Sequence, residues 1–285
     1  MKKLKLILHM IKFEHTIFAL PFAYLGMVLG ARGIPDFYAF FWITSAMVGA
    51  RSYAMAVNRL ADRNIDSRNP RTKNWPLSQG LISVYETSAF VLCAILLFVI
   101  AAFMLPSLCH KLWPVALFSM TIYPFLKRFT FLSHFVLGIS LGLAPLGAWI
   151  AVTNTFPPLG IYSLGLAVAL WTAGFDIIYS CQDYNFDKQE GLHSAPVQFG
   201  IDAALGLTKI LHILTVVFLL LVGISFSLGW VFYLGVVIIA FFLWYENRII
   251  HPDDLSRVDV SFFTLNGFVS VFAFMFTFLS VVLKS

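Results

Sequence analysis

Two stretches of this chain carry acidic side chains at helical spacing. Asn58, Asp62 and Asp66 stand four residues apart. At about 100° per residue they fall in one narrow stripe of a helix. Two carboxylates a turn apart repel each other, so they are a poor structural choice and a plausible cation site. A solvated helix end neutralised by Arg59 and Arg63 is the plain alternative. The second stretch holds Asp176, Asp183 and Asp187, offset by seven and then four. On a continuous helix these three lie within about 40° of one another. Asp176 sits inside an apolar run, where a charge costs at least about 2.5 kcal/mol. It either carries no charge, pairs with an interior Arg such as Arg51, or serves a site.

Paired carboxylates suit a hard cation. Mg²⁺ takes one or two carboxylates together with substrate phosphate oxygens. No His/Cys cluster accompanies these acids, which argues against zinc or copper. The favoured chemistry is therefore Mg²⁺ held against a phosphate or diphosphate. Basic residues that fit such an anion lie between the two stretches: Arg71 and Lys73 just after the first, and Lys127 and Arg128 at the end of a later apolar run. Ordinary flanking charge explains these equally well. Arg51 lies seven residues before Asn58, on about the same face and inside an apolar run, and needs an anionic partner.

The elements that must position these groups are membrane helices. Of the 285 residues, 60% are hydrophobic and 12% charged, and mean hydropathy is +0.86. A soluble domain carries about 25% charged residues. Helices are expected because lipid satisfies no backbone hydrogen bonds, and the alternation of a membrane barrel is absent. Apolar windows predict nine spans, at about 14–31, 37–58, 83–105, 111–126, 132–152, 160–182, 203–227, 229–249 and 259–283. Pro145 and several Gly predict a kink in the fifth. The break at Ser225–Gly229 is the least marked boundary. No linker interrupts the series, so one domain over 1–285 is expected, around a central cavity.

With the N-terminus inside, all but four of the 19 Lys and Arg lie in the N-terminal arm, in or beside the even-to-odd loops, or at the adjoining start of the seventh span. The exceptions are Arg32, Lys111, Lys284 and the intramembrane Arg51. The positive-inside rule thus predicts a cytoplasmic N-terminus and puts both acidic stretches at the cytoplasmic side of the inner (plasma) membrane. The net charge of +5 then reports orientation, and no nucleic-acid partner is expected. Cys93, Cys109 and Cys181 show neither a disulfide framework nor metal-ligand spacing. The basic start, followed by Lys12, Glu14 and His15, reads as a retained first segment.

These residues resemble the UbiA superfamily of intramembrane aromatic prenyltransferases, nine-helix proteins. Its Asn-x-x-x-Asp-x-x-x-Asp motif matches Asn58, Asp62 and Asp66, and its Asp-x-x-x-x-x-x-Asp-x-x-x-Asp motif matches Asp176, Asp183 and Asp187. The Tyr-Pro-x-x-Lys-Arg-x-Thr segment of the 4-hydroxybenzoate group matches Tyr123, Pro124, Lys127, Arg128 and Thr130, and Arg51 stands where that group carries an Arg. Arg59 replaces a second acid found in many members, Trp75 replaces the Arg of Asn-Arg-Pro-Leu, and Ser133-His134 replaces Pro-Gln. The runs Phe13–Pro21 and Lys127–His134 look more like a branch that prenylates 1,4-dihydroxy-6-naphthoate on a route to menaquinone.

The resemblance implies Mg²⁺-dependent transfer of a polyprenyl group from polyprenyl diphosphate to an aromatic hydroxy acid, in ubiquinone or menaquinone biosynthesis, with no obligate protein partner. It assigns Asp62, Asp66, Asp183 and Asp187 to catalysis and, with Asn58, to the metal. Arg51, Asn58, Arg71, Lys73, Lys127, Arg128, Asp176 and Tyr179 are assigned to substrate binding. A cation-coupled transporter is the competing class. A CDP-alcohol phosphotransferase would need its acids in one long motif, and the Tyr-Pro-x-x-Lys-Arg segment argues against haem farnesylation.

Overall fold

A computed structural model describes residues 2–13 and 16–284. Glu14 and His15, at the expected start of the first span, lie outside the described residues. Within them every regular element is helical, and the only β-type pairing is an isolated bridge between His251 and Asp254.

A short helix α1 (Lys2–Met10) precedes α2 (Thr16–Ala31) and the long α3 (Phe37–Asp66). Asp36 starts α3 by accepting the Ala39 N–H at 2.8 Å. Helix α4 (Val84–Met104) opens with a reciprocal Ser83–Glu86 capping box. Then come α5 (Ser107–Leu126), α6 (Ser133–Thr153) and α7 (Leu159–Ser180). After α7 the chain tightens into a 3₁₀ turn (Cys181–Asp183) before α8 (Tyr184–Glu190) and α9 (Ala195–Phe199). Helices α10 (Ile201–Ser225) and α11 (Trp230–Ile249) break at the predicted Ser225–Gly229 boundary. A π-helical turn (Val260–Leu265) leads into α12 (Asn266–Lys284).

Six of these segments are long and apolar enough to cross a membrane: Val84–Met104, Ser133–Thr153, Leu159–Glu190, Ile201–Ser225, Trp230–Ile249 and Val260–Leu283. They coincide with the third, fifth, sixth, seventh, eighth and ninth expected spans. Helices α2, α3 and α5 form where the first, second and fourth are expected but fall outside that set; the apolar part of α2 is Ala19–Ala31.

The pairings α2–α6, α6–α7, α7–α10, α10–α11, α11–α12 and α12–α2 close a ring. Its core holds Phe22, Leu25, Trp171, Ile239 and Leu243. Helices α3, α4 and α5 pack together beside it, joined through α5–α6 and α2–α3 contacts. Small residues allow the close crossings that lipid-embedded helices need in place of a hydrophobic driving force. A Cβ on Gly26 would stand 2.1 Å from the Pro145 carbonyl oxygen, and one on Gly138 would stand 2.2 Å from that of Ala169.

One group of polar side chains inside the ring is joined by hydrogen bonds, which offset the cost of burying them. Glu246 is fully buried and its Oε1 accepts from Ser261 Oγ (2.6 Å) and Asn266 Nδ2 (2.8 Å). Asn266 Oδ1 in turn accepts from Trp171 Nε1 at 2.6 Å. This chain of bonds pins the π turn to the ring.

Candidate active site

One cavity of about 590 Å³ runs between α3, α5, α6 and α7. Most of its wall is apolar, from Ile43, Met47, Phe98, Leu112, Met120 and Leu141. Its polar groups include Arg51, Asn58, Asp62, Asp66, Arg71, Lys127, His134, Asp176, Tyr179, Asp183 and Asp187. Acids 110 and more residues apart in sequence therefore share one cavity. Lys73 and Arg128 do not line it: Lys73 is exposed, and Arg128 reaches it only through Asp62.

Helix α3 stays α-helical through Asp66, so its motif belongs to the helix and not to the loop after it. Asn58 Nδ2 donates to Asp62 Oδ2 at 3.2 Å. Lys127, the C-cap of α5, donates to the same oxygen at 2.6 Å. Arg128 donates to Asp62 Oδ1 at 3.3 Å and to the Ala61 carbonyl at 2.6 Å. Asp66 accepts from Thr72 Oγ1 at 3.2 Å and faces Arg59 Nη1 at 4.0 Å.

The second motif does not lie on one continuous helix, which corrects the geometry drawn from its spacing. Ser180 Oγ and Cys181 Sγ both donate to the Ile177 carbonyl, and α7 ends there. Side-chain bonds of this kind compete with the helical ladder and bend it. Asp183 is thereby delivered from the 3₁₀ turn and Asp187 from α8. Arg71 donates to Asp183 through Nε at 2.9 Å and also through Nη2, a bidentate pair. Asn69 Nδ2 adds a bond of 2.9 Å to Asp183 Oδ1, and Arg71 Nη1 donates to the Tyr179 hydroxyl at 2.6 Å. Burial alone would lower the Arg71 pKa, but the hydrogen bonds to Asp183 and the charge interactions with Tyr179, Asp183 and Asp66 together more than offset it, so the guanidinium is held above its ordinary value.

The structure decides between readings that the sequence left open for Arg59, Asp176 and Arg51. Arg59 is not a flanking charge: it is buried, donates to the Met10 carbonyl at 3.2 Å, and lies 3.7 Å over the Trp75 ring. Asp176 does not pair with Arg51. Its partner is His134, whose Nδ1 lies 2.7 Å from Asp176 Oδ2. Arg51 Nε is buried with no hydrogen-bond partner among the described residues. Sequence reasoning missed His134, Asn69 and Thr72 as members of the site. The one available signal was the departure from Pro-Gln at 133–134.

Among the described residues no three His, Cys, Asp or Glu converge closely enough to hold an ion by themselves. Asp62, Asp66 and Asp183 instead each face a Lys or Arg side chain of the same chain, and Asp176 faces His134. The arrangement can bind an anion by exchanging these internal partners, with oxygen donors left for a hard cation.

Known proteins match this picture. The 4-hydroxybenzoate octaprenyltransferase of Vibrio atlanticus (strain LGP32) is 31% identical over 230 residues, 80% of this chain and 80% of that protein. The apo structure of a UbiA homolog from Aeropyrum pernix K1 superposes with a TM-score of 0.84 at 32% identity, covering 95% of this chain and 98% of that one. A UbiA homolog from Archaeoglobus fulgidus bound to GPP and Mg²⁺ shares the fold, with a TM-score of 0.76 at 19% identity over 97% and 99% of the two chains. None of these relatives supports the transporter reading. The profile of the UbiA prenyltransferase family matches residues 19–279, and the chain belongs to that family.

Proposed function

We propose that this chain moves a polyprenyl group from polyprenyl diphosphate to an aromatic hydroxy acid of the 4-hydroxybenzoate type, for respiratory quinone biosynthesis. The observation that carries the reading is that Lys127 and Arg71 meet the carboxylates of both motifs in one largely apolar cavity. The name and extent of the Vibrio relative support the acceptor class.

Asn58, Asp62, Asp66, Asp183 and Asp187 would hold Mg²⁺. All five line the cavity and offer only hard amide or carboxylate oxygens. Mg²⁺ takes one or two carboxylates and completes its shell with phosphate oxygens, so a ready-made cluster of three is not required. When bound, it neutralises charge building on the leaving diphosphate. Lys127 and Arg71 exchange their carboxylate partners for phosphate oxygens and stabilise the same charge. Arg128 orients Asp62, and Lys73 adds long-range attraction for the anion.

In the reaction the allylic C–O bond breaks and its electron pair leaves with the diphosphate. The aromatic ring attacks the resulting cation, a C–C bond forms, and the ring loses a proton. The apolar wall excludes water that would quench the cation. The Tyr179 ring, 4.4 Å from that of Phe262, presents a π face to it. The acceptor's carboxylate satisfies the unpartnered Arg51.

The proposal extends to topology. Helices α2, α3 and α5 also cross the bilayer, giving nine spans in a single domain over 1–285. The N-terminus and the site face the cytoplasm at the inner (plasma) membrane, as the Lys and Arg distribution favours.

The test is incubation of the purified protein with one prenyl diphosphate, Mg²⁺ and equal amounts of 4-hydroxybenzoate and 1,4-dihydroxy-6-naphthoate, followed by mass analysis. Prenylated hydroxybenzoate, lost on chelation of Mg²⁺, is expected. A naphthoate product would redirect the acceptor to menaquinone synthesis, and no product with either would overturn the reading.

A further inference from the structure

His134 and Asp176 form a pair in the cavity whose purpose the diphosphate chemistry leaves open. His134 is the second residue of α6 and is 4% exposed. Both of its ring nitrogens are engaged. Nε2 lies 3.1 Å from the Ala195 backbone nitrogen, which can only donate, so Nε2 is the acceptor and carries no proton. The ring proton of the neutral imidazole is then on Nδ1 and points at Asp176 Oδ2, 2.7 Å away. A backbone amide on one side of the ring thus determines what the other side offers.

Asp176 Oδ2 is committed to His134. Its other oxygen accepts from no group among the described residues, while 27% of the side chain stays open to the cavity. Neither Lys127 nor Arg71 contacts it; their carboxylate partners are Asp62 and Asp183. A carboxylate oxygen facing an apolar wall is costly until a donor reaches it. An anion cannot supply that donor, whereas a hydroxyl can. Arg51 Nε is also unsatisfied on this wall, as are the Thr172 and Ser194 hydroxyls, and as the one cation among them it calls for the opposite chemistry, an acid. A ligand carrying both a carboxylate and a hydroxyl satisfies Arg51 and Asp176 together.

We propose that His134 is a positioning residue that holds Asp176 as the hydrogen-bond acceptor for the hydroxyl of the aromatic substrate. The inference rests on the aromatic hydroxy acid reading above and assigns the hydroxyl end of that substrate. A hydroxyl donating to a carboxylate gains electron density, which the ring carbon beside it uses in attack. His134 acts only through Asp176, and it ties that carboxylate to the segment after α8 through Ala195.

Two near-isosteric variants separate this role from packing. His134→Asn keeps an amide donor where Nδ1 stands; His134→Gln keeps a polar group near Nε2 and removes the donor to Asp176. With prenyl diphosphate saturating, His134→Gln is expected to raise the KM for 4-hydroxybenzoate about tenfold, the worth of a hydrogen bond to a charged group. The KM for the diphosphate stays unchanged, and His134→Asn recovers most of the acceptor KM. In an Asp176→Asn background, His134→Gln should raise the acceptor KM no further. Equal defects in the Asn and Gln variants, a matching rise in diphosphate KM, or additivity with Asp176→Asn would overturn the proposal. Product formed by the unaltered protein keeps the underlying reading intact in each of those cases, while no product from it removes both.

Discussion

The Arg59 guanidinium lies 3.7 Å over the ring of Trp75. Both residues depart from the usual family pattern, which has an acid at the first position and an Arg at the second. The two departures meet in space as a cation–π contact, and an acid with an Arg at the same two positions could form an ion pair there. Such a contact is worth about 0.5–2 kcal/mol. Trp75→Arg alone should therefore lower thermal stability in detergent, because it removes the ring and sets two guanidinium groups together. Adding Arg59→Asp should restore much of the loss. A double variant less stable than either single one would refute the exchange.

Replacing Asp62 or Asp183 with Ala should reduce turnover by at least about a hundredfold, the scale of losing a group that organises transition-state charge. The amount of folded protein should not fall. The side chains of Lys127 and Arg128 are 30% and 28% exposed and can turn to water once Asp62 is gone. Size-exclusion profiles alongside product assays check both halves; full activity would sink the assignment.

Arg71 holds Asp183 with two nitrogens and Tyr179 with a third. Lys offers a point charge and cannot reproduce that fork, so Arg71→Lys should cost about tenfold in kcat/KM for the diphosphate. Tyr179→Phe keeps the ring and loses one bond, and should cost only a few-fold. Tyr179→Leu removes the π face and should lower kcat further. Equal effects of Phe and Leu would remove the ring from the mechanism.

Gly138→Ala should destabilise the α6–α7 crossing by about 1–3 kcal/mol, since the added methyl meets the backbone oxygen of Ala169. Gly147→Ala, in the same helix, meets nothing within 4 Å and should be neutral or stabilising. Unfolding temperatures of the two variants in one detergent make the comparison; similar losses would contradict the packing account.

What could be read along the chain was whatever a single helix controls. Asn58, Asp62 and Asp66 share a stripe because α3 remains regular to its end. The second motif misled on geometry because neither Gly nor Pro marks the break; the Ser180 and Cys181 bonds to Ile177 do, and those depend on rotamers. Apolar runs located the long helices, since hydrocarbon length sets their size. Pairings across helices were not legible. Nothing in a linear pattern says that His134 faces Asp176, that Asn69 reaches Asp183, or that Arg59 turns inward to Met10 and Trp75. Those depend on how far each helix is rotated about its own axis, which spacing alone leaves free.

Glu246 Oε1 accepts bonds from Ser261 and Asn266, five residues apart, the repeat of a π turn. In a regular α-helix those two positions would point about 140° apart, and one carboxylate oxygen could not reach both. The buried acid therefore acts as a gauge of helical register, recording how the last span is wound where it enters the bundle. Phe262 sits inside that turn and packs against Tyr179 with its ring tilted by 37°. With Leu at position 246 the turn is free to rewind to α pitch and swing Phe262 off the cavity wall, so a side chain that no substrate touches sets the shape that the substrate meets.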